Sequence, residues 1–210
     1  MTTSLLPPSW LTVLRLAERD GLRCGGPVIL AGFVTGTGLV EVAAGPLGLA
    51  SRNICELLIL LVLQLAGPLL VTVVALMQLA PTWLQRVQEA GPGVWRLTVP
   101  AAALVAPLLL TVFLVATLVS GALVTPRADL AGELGDVLGS IQLRHLLITW
   151  VRTSVFFGIV CAWCVRRCRL GLLRQVPQGE IVTELLTHGI VLILLLKLVW
   201  ILVVDPISLS

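Results

Sequence analysis

Charge is what this 210-residue chain has least of. Only 12% of its residues are Asp, Glu, Lys or Arg, while 58% are hydrophobic and the mean hydropathy is +1.05. An average soluble domain carries about 25% charged residues. That shortfall excludes a water-soluble fold. Histidine is scarcer still, with two residues. There is no Ser/His/Asp set, no His-rich metal spacing, no Walker phosphate loop and no glycine fingerprint, so the residues give no support for an enzyme active site or for ATP hydrolysis by this chain alone. The net charge of +3 is too small, and too tied to helix ends, to point to nucleic acid. At the N-terminus Pro7, Pro8 and Arg15 interrupt any short apolar core, so no cleaved signal peptide is expected. Five cysteines are an odd number and imply no disulfide framework. Cys161, Cys164 and Cys168 share one helical side; small apolar packing residues are weighed there against a metal site or a lipid anchor.

What the chain has in place of charge is long apolar runs. The one that organises the rest covers residues 54–79, 26 residues with a single carboxylate near its start. At ~1.5 Å rise per residue it forms about 39 Å of helix, enough to cross a hydrocarbon core of roughly 30 Å. Gly67-Pro68 at its midpoint removes an amide donor where lipid offers no replacement, so neighbouring helices should cover the break; a simple kink is the plainer alternative. Further spans are expected at about 27–49, 98–124, 143–165 and 181–204. Gly32, Gly36 and Gly38 in the first let another helix approach closely. Residues 9–23 read as an amphipathic helix in the headgroup layer, ended by Gly25-Gly26-Pro27. Residues 81–97 read as a loop with at most one short helix, 125–142 as an acidic segment and 166–179 as a basic loop. The expected fold is all-α and polytopic, one membrane domain over residues 1–210 with five transmembrane helices behind an interfacial one.

The arginines give the orientation. Arg15, Arg19, Arg23, Arg86, Arg96, Arg166, Arg167, Arg169 and Arg174 fall on one side of that layout, nine in all, against three on the other, Arg52, Arg127 and Arg144. Cytoplasmic connections carry the excess of arginine and lysine. The N-terminus is therefore expected in the cytoplasm and the C-terminus outside.

Four ionisable groups lie in or at the edge of the spans: Glu41, Glu56, Arg152 and Lys197, each in the outer half of its helix. Each such charge costs at least ~2.5 kcal/mol at the bilayer centre, so four at one level suggest mutual pairing or a shared wet cavity. In the functional reading Arg152 and Lys197 face the phosphate of a lipid headgroup. In the plainer one Lys197 and Glu56 snorkel outward and Arg152 makes one structural pair. Glu180, Glu184 and His188 recur every four residues; a polar stripe against other helices is weighed against a proton relay. His145 is expected at an outer interface.

Several short motifs add a family likeness. They are Gly67-Pro68 in the second span, Pro107-Leu108-Leu109-Leu110-Thr111 in the third, and the stretch from His145 to Gly158, where Arg152 precedes Ser154 and the pair Phe156-Phe157. With five spans, a leading interfacial helix and His188 in the last span, the chain resembles the MlaE/YrbE family of lipid ABC-transporter permeases over roughly residues 9–204. The resemblance implies a non-catalytic permease subunit of the bacterial inner membrane that pairs with a second permease subunit, its own copy or a different one. It implies an outward cavity for a phospholipid, with Glu41, Glu56, Arg152 and Lys197 around it. It also implies an MCE-domain lipid-binding protein outside, and a cytoplasmic ABC ATPase acting on Trp83, Gln85, Arg86, Gln88 and Glu89, with no cofactor. The chain departs from the family where Gln64 and Leu65 stand in place of an Arg-Glu pair, where residues 81–97 replace a longer acidic helix, and where Lys197 replaces an acidic or amide group. The rival reading is a membrane scaffold that assembles other subunits and transports nothing. A lipid-modifying enzyme would need a carboxylate cluster at one interface, which is not found.

Overall fold

The computed structural model describes residues 10–44, 66–124 and 143–203, and among them every regular element is helical. Five helices follow one another: α1, Trp10–Ala44; α2, Gly67–Ala90; α3, Trp95–Val124; α4, Leu143–Leu173; and α5, Gln178–Val203. All five are long and apolar enough to cross a membrane, which makes the chain an integral membrane protein. Of the organising span at residues 54–79, the part before Ala66 lies outside the described residues, as does the acidic segment 125–142; α2 starts at the Gly67-Pro68 step.

Three sequence expectations are corrected, all in the direction of longer helices. The interfacial helix and the first span are one continuous helix of 35 residues with Pro27 inside it, so Gly25-Gly26-Pro27 does not end it. The interval 81–97 is not a loop: α2 runs past Pro81 to Ala90, and only a 3-10 turn, Gly91–Val94, separates it from α3. The basic loop shrinks likewise, because α4 continues to Leu173. One physical reason covers the first two. Proline deletes one backbone hydrogen bond at a cost of about 3 kcal/mol, whereas ending a helix leaves four amides and four carbonyls without intrahelical partners, which lipid cannot satisfy.

Real ends occur where the backbone can close them. Gly91 takes a positive φ of 69° directly after α2, the left-handed residue that stops a helix. Gln175 does the same after α4 with φ 56°. There the Val176 amide donates to the Gly171 carbonyl and the Gln175 amide to the Leu172 carbonyl, each at 3.2 Å, a Schellman closure built on a glutamine.

The residues divide into two compact units. The first takes its described residues from 10–23, 76–105 and 154–203. Its core holds Leu76, Leu79, Trp83, Phe157, Ile181 and Leu185, with the Trp83 and Phe157 rings 5.8 Å apart and tilted. Cys161, Cys164 and Cys168 are buried and unbridged in it, Cys161 Sγ lying 3.8 Å from the Thr98 carbonyl, so the cysteines pack as small apolar groups. The second unit takes its described residues from 24–44, 66–75, 106–124 and 143–153. Here α1 meets α3 through Gly32 and Gly36. A Cβ on Gly32 would lie 2.7 Å from the Phe113 carbonyl oxygen and 2.8 Å from Ala116 Cβ, and one on Gly36 would collide with Ser120 and the Thr117 carbonyl. The expected close approach of small residues is borne out at those two positions and not at Gly38, which has nothing within 4 Å. Hydroxyls in this unit are satisfied within their own helices: Thr117 donates to the Phe113 carbonyl at 2.8 Å and Thr72 to the Pro68 carbonyl at 2.7 Å.

Candidate functional site

The nine arginines assigned to one side by counting all fall in the first unit. That unit holds a polar arrangement anchored by a residue that the sequence patterns above do not single out. Asp20 of α1 is 0% exposed and faces Arg86 of α2 in a two-pronged pair: Arg86 Nη1 donates to Asp20 Oδ2 at 2.8 Å, and Nη2 donates to Oδ1. Next to it Arg23 Nη1 donates to Thr82 Oγ1 at 2.7 Å. A signal for Asp20 was present. Val13, Ala17, Asp20, Cys24 and Val28 follow helical spacing and all are buried, so Asp20 is the lone carboxylate on the packed stripe of α1. Trp10 and Leu14, which an amphipathic reading of residues 9–23 would place on the same side as Val13 and Ala17, are exposed.

Of the five residues expected to meet an ATPase, Trp83 is buried against Phe157 and Arg86 is committed to Asp20. Gln85, Gln88 and Glu89 are exposed at the end of α2, and Gln85 Nε2 donates to Glu89 Oε1 at 2.9 Å. An open cleft of about 550 Å³ runs beside them, lined by Pro81, Leu84, Gln85 and Gln88 of α2 and by Gln178, Gly179 and Val182 at the start of α5. A second, narrower cleft of about 250 Å³ lies between the end of α2, Trp95 and the arginine-bearing turns of α4.

No family model, curated protein or solved structure matches the chain.

The four charges expected around a lipid cavity are placed as follows. Glu56 lies outside the described residues. Glu41 is exposed on α1, and no ion pair among the described residues joins it to Arg152. Arg152 of α4 is buried in the second unit and Lys197 of α5 in the first. Neither cleft described above includes any of them. His145 is in the first turn of α4, and its side chain lies outside the described residues. Glu184 and His188 take the polar-stripe arrangement: Arg167 lies 3.5 Å from Glu184 and over the Trp163 ring at 5.2 Å, while the His188 ring stands 5.8 Å from Trp163. His188 Nδ1 is 3.0 Å from the Glu184 carbonyl. An ion pair this exposed contributes about 0–1 kcal/mol, so the stripe aligns α4 with α5 more than it holds them together.

Proposed function

We propose that this chain is the non-catalytic, membrane-embedded permease subunit of an ABC-type lipid transporter. The observation that carries the reading is the end of α2, where Gln85, Gln88 and Glu89 stand outward on a helix whose inward side is clamped by Asp20. A partner that delivers mechanical work needs a polar handle on a rigid lever. The two-pronged Asp20–Arg86 pair ties α2 to α1 one turn or less from these residues, so a load applied at Gln88 or Glu89 acts on both helices. The cleft beside the start of α5 suits a ridge of a cytoplasmic ATPase. Its placement there assumes that the arginine-rich side is cytoplasmic, which puts the C-terminus in the periplasm of a bacterial inner membrane.

In this reading the substrate is a phospholipid or a similar amphiphile, and Arg152 and Lys197, both buried, are the side chains assigned to it. The likeness in residues 145–158 extends the reading to a second permease subunit and an MCE-domain partner that takes or supplies the lipid.

The test is to isolate the native complex from membranes in mild detergent and identify its subunits. An ATPase and an extracytoplasmic lipid-binding protein are expected, and Gln88→Arg with Glu89→Arg should release the ATPase while the membrane subunit stays folded. Lipid transfer between vesicles should fall at least tenfold in Arg152→Met with Lys197→Met. Recovery of other membrane subunits with neither an ATPase nor lipid would overturn the reading in favour of the scaffold.

A further inference from the structure

The narrower cleft is not used by the proposed transport cycle, and its lining is chemically one-sided. Val87, Gly91, Ala162 and Val165 make an apolar floor, and Arg166 and Arg169 with the indole of Trp95 make the rim. Trp95 is 53% exposed, with the Arg96 guanidinium 5.8 Å from its ring centre. No carboxylate lines the cleft, and neither Arg166 nor Arg169 pairs with one among the described residues; the ion pairs nearby belong to Arg86 and Arg167. Two like charges three residues apart on one helix face repel each other, so the pair is completed by an anion from outside.

The geometry points to an anionic glycerophospholipid, held by its phosphodiester at Arg166 and Arg169 and by its acyl chains along α4. The acyl track is the second, independent feature. Val155, Ile159, Ala162, Arg166, Arg169 and Leu173 follow the 4, 3, 4, 3, 4 spacing of one helical face, and all six are exposed. Below the two guanidiniums that face is apolar, and from Ile159 to Arg166 it covers seven residues, about 10 Å along the axis. A chain lying on that strip brings its headgroup to the arginines, with Trp95 at the headgroup level that indoles favour. A soluble phosphate would use only the rim, and a protein partner would leave the strip facing lipid. A cleft of about 250 Å³ is below the 300–1,000 Å³ of drug-sized pockets, a size for a headgroup rather than a whole molecule. The site needs neither an ATPase nor transport, so it stands or falls apart from the proposed function.

The experiment is native mass spectrometry of the full chain in neutral detergent, titrated with phosphatidylglycerol, with phosphatidylcholine, and with phosphatidylglycerol in the presence of inorganic phosphate. Phosphatidylglycerol should be retained over phosphatidylcholine by at least tenfold, and millimolar phosphate should not displace it. Basic side chains near a membrane surface contribute enough that Arg166→Gln and Arg169→Gln should each weaken phosphatidylglycerol about fivefold, and together about 30-fold. Arg166→Lys with Arg169→Lys should recover most of the loss. Arg15→Gln with Arg19→Gln removes the same charge elsewhere on the unit and should change little. Undiminished phosphatidylglycerol binding in the double Gln variant, displacement by phosphate, or an equal loss in the Arg15/Arg19 variant would each overturn the proposal.

Discussion

The two units solve the same problem, holding helices together in lipid, with different mixtures of the same materials. The second brings backbones into contact: Gly32 and Gly36 of α1 sit on Ala116, Thr117 and Ser120 of α3, and hydroxyls turn back onto their own helices. The first also packs closely, with Gly189 against Leu76 and Gly171 against Ile181, but adds ring contact, Trp83 to Phe157, and a charged pair, Asp20 to Arg86. Lipid tails are as apolar as leucine, so burying leucine drives no helix association in the bilayer; close contact and hydrogen bonding must do it. Both units use contact, and the first adds the directed Asp20–Arg86 pair. Among the described residues the first unit exposes Gln85, Gln88, Glu89, Arg166 and Arg169, the residues assigned above to a partner or a headgroup, while the second exposes Glu41.

That contrast can be broken most severely at its charged side. Asp20→Ala should destabilise the protein by 3–5 kcal/mol, measured by unfolding in a denaturing detergent, because it strands the Arg86 guanidinium. Asp20→Leu with Arg86→Met should recover most of the loss, and failure to do so would mean that the pair holds more than these two helices. On the other side, Gly36→Leu should cost 1–3 kcal/mol or more by overpacking against Thr117 and Ser120. Gly38→Leu on the same helix should be close to neutral, and equal effects at the two positions would show that the contact is not specific. The smallest effect sharpens the edge of the first unit. Gln175 holds a left-handed backbone that costs a residue with a Cβ roughly 1–2 kcal/mol, so Gln175→Gly should raise stability by about 1 kcal/mol.

Much of this was legible beforehand because lipid narrows the options. Five apolar runs became five helices, and the small residues at Gly32 and Gly36 marked a packing face. The helix ends were misread at Pro27 and Pro81, since proline stops helices in water and merely costs one bond where no water replaces the rest. Asp20 is hard to single out by composition because it follows the charged, exposed Glu18 and Arg19, although its register with Val13 and Ala17 places it inward. Depth, by which Glu41, Arg152 and Lys197 were grouped, depends on how helices are set against one another, and one residue's distance from its own helix start does not carry that information.

The uninterrupted run of α1 has one further effect. At ~1.5 Å per residue its 35 residues measure about 52 Å, whereas the hydrocarbon layer is roughly 30 Å thick. The surplus is the charge-bearing stretch from Arg15 to Arg23, and the largely apolar remainder, residues 24–44, measures about 31 Å, so a thicker bilayer would have to thin around this helix or draw its arginines inward.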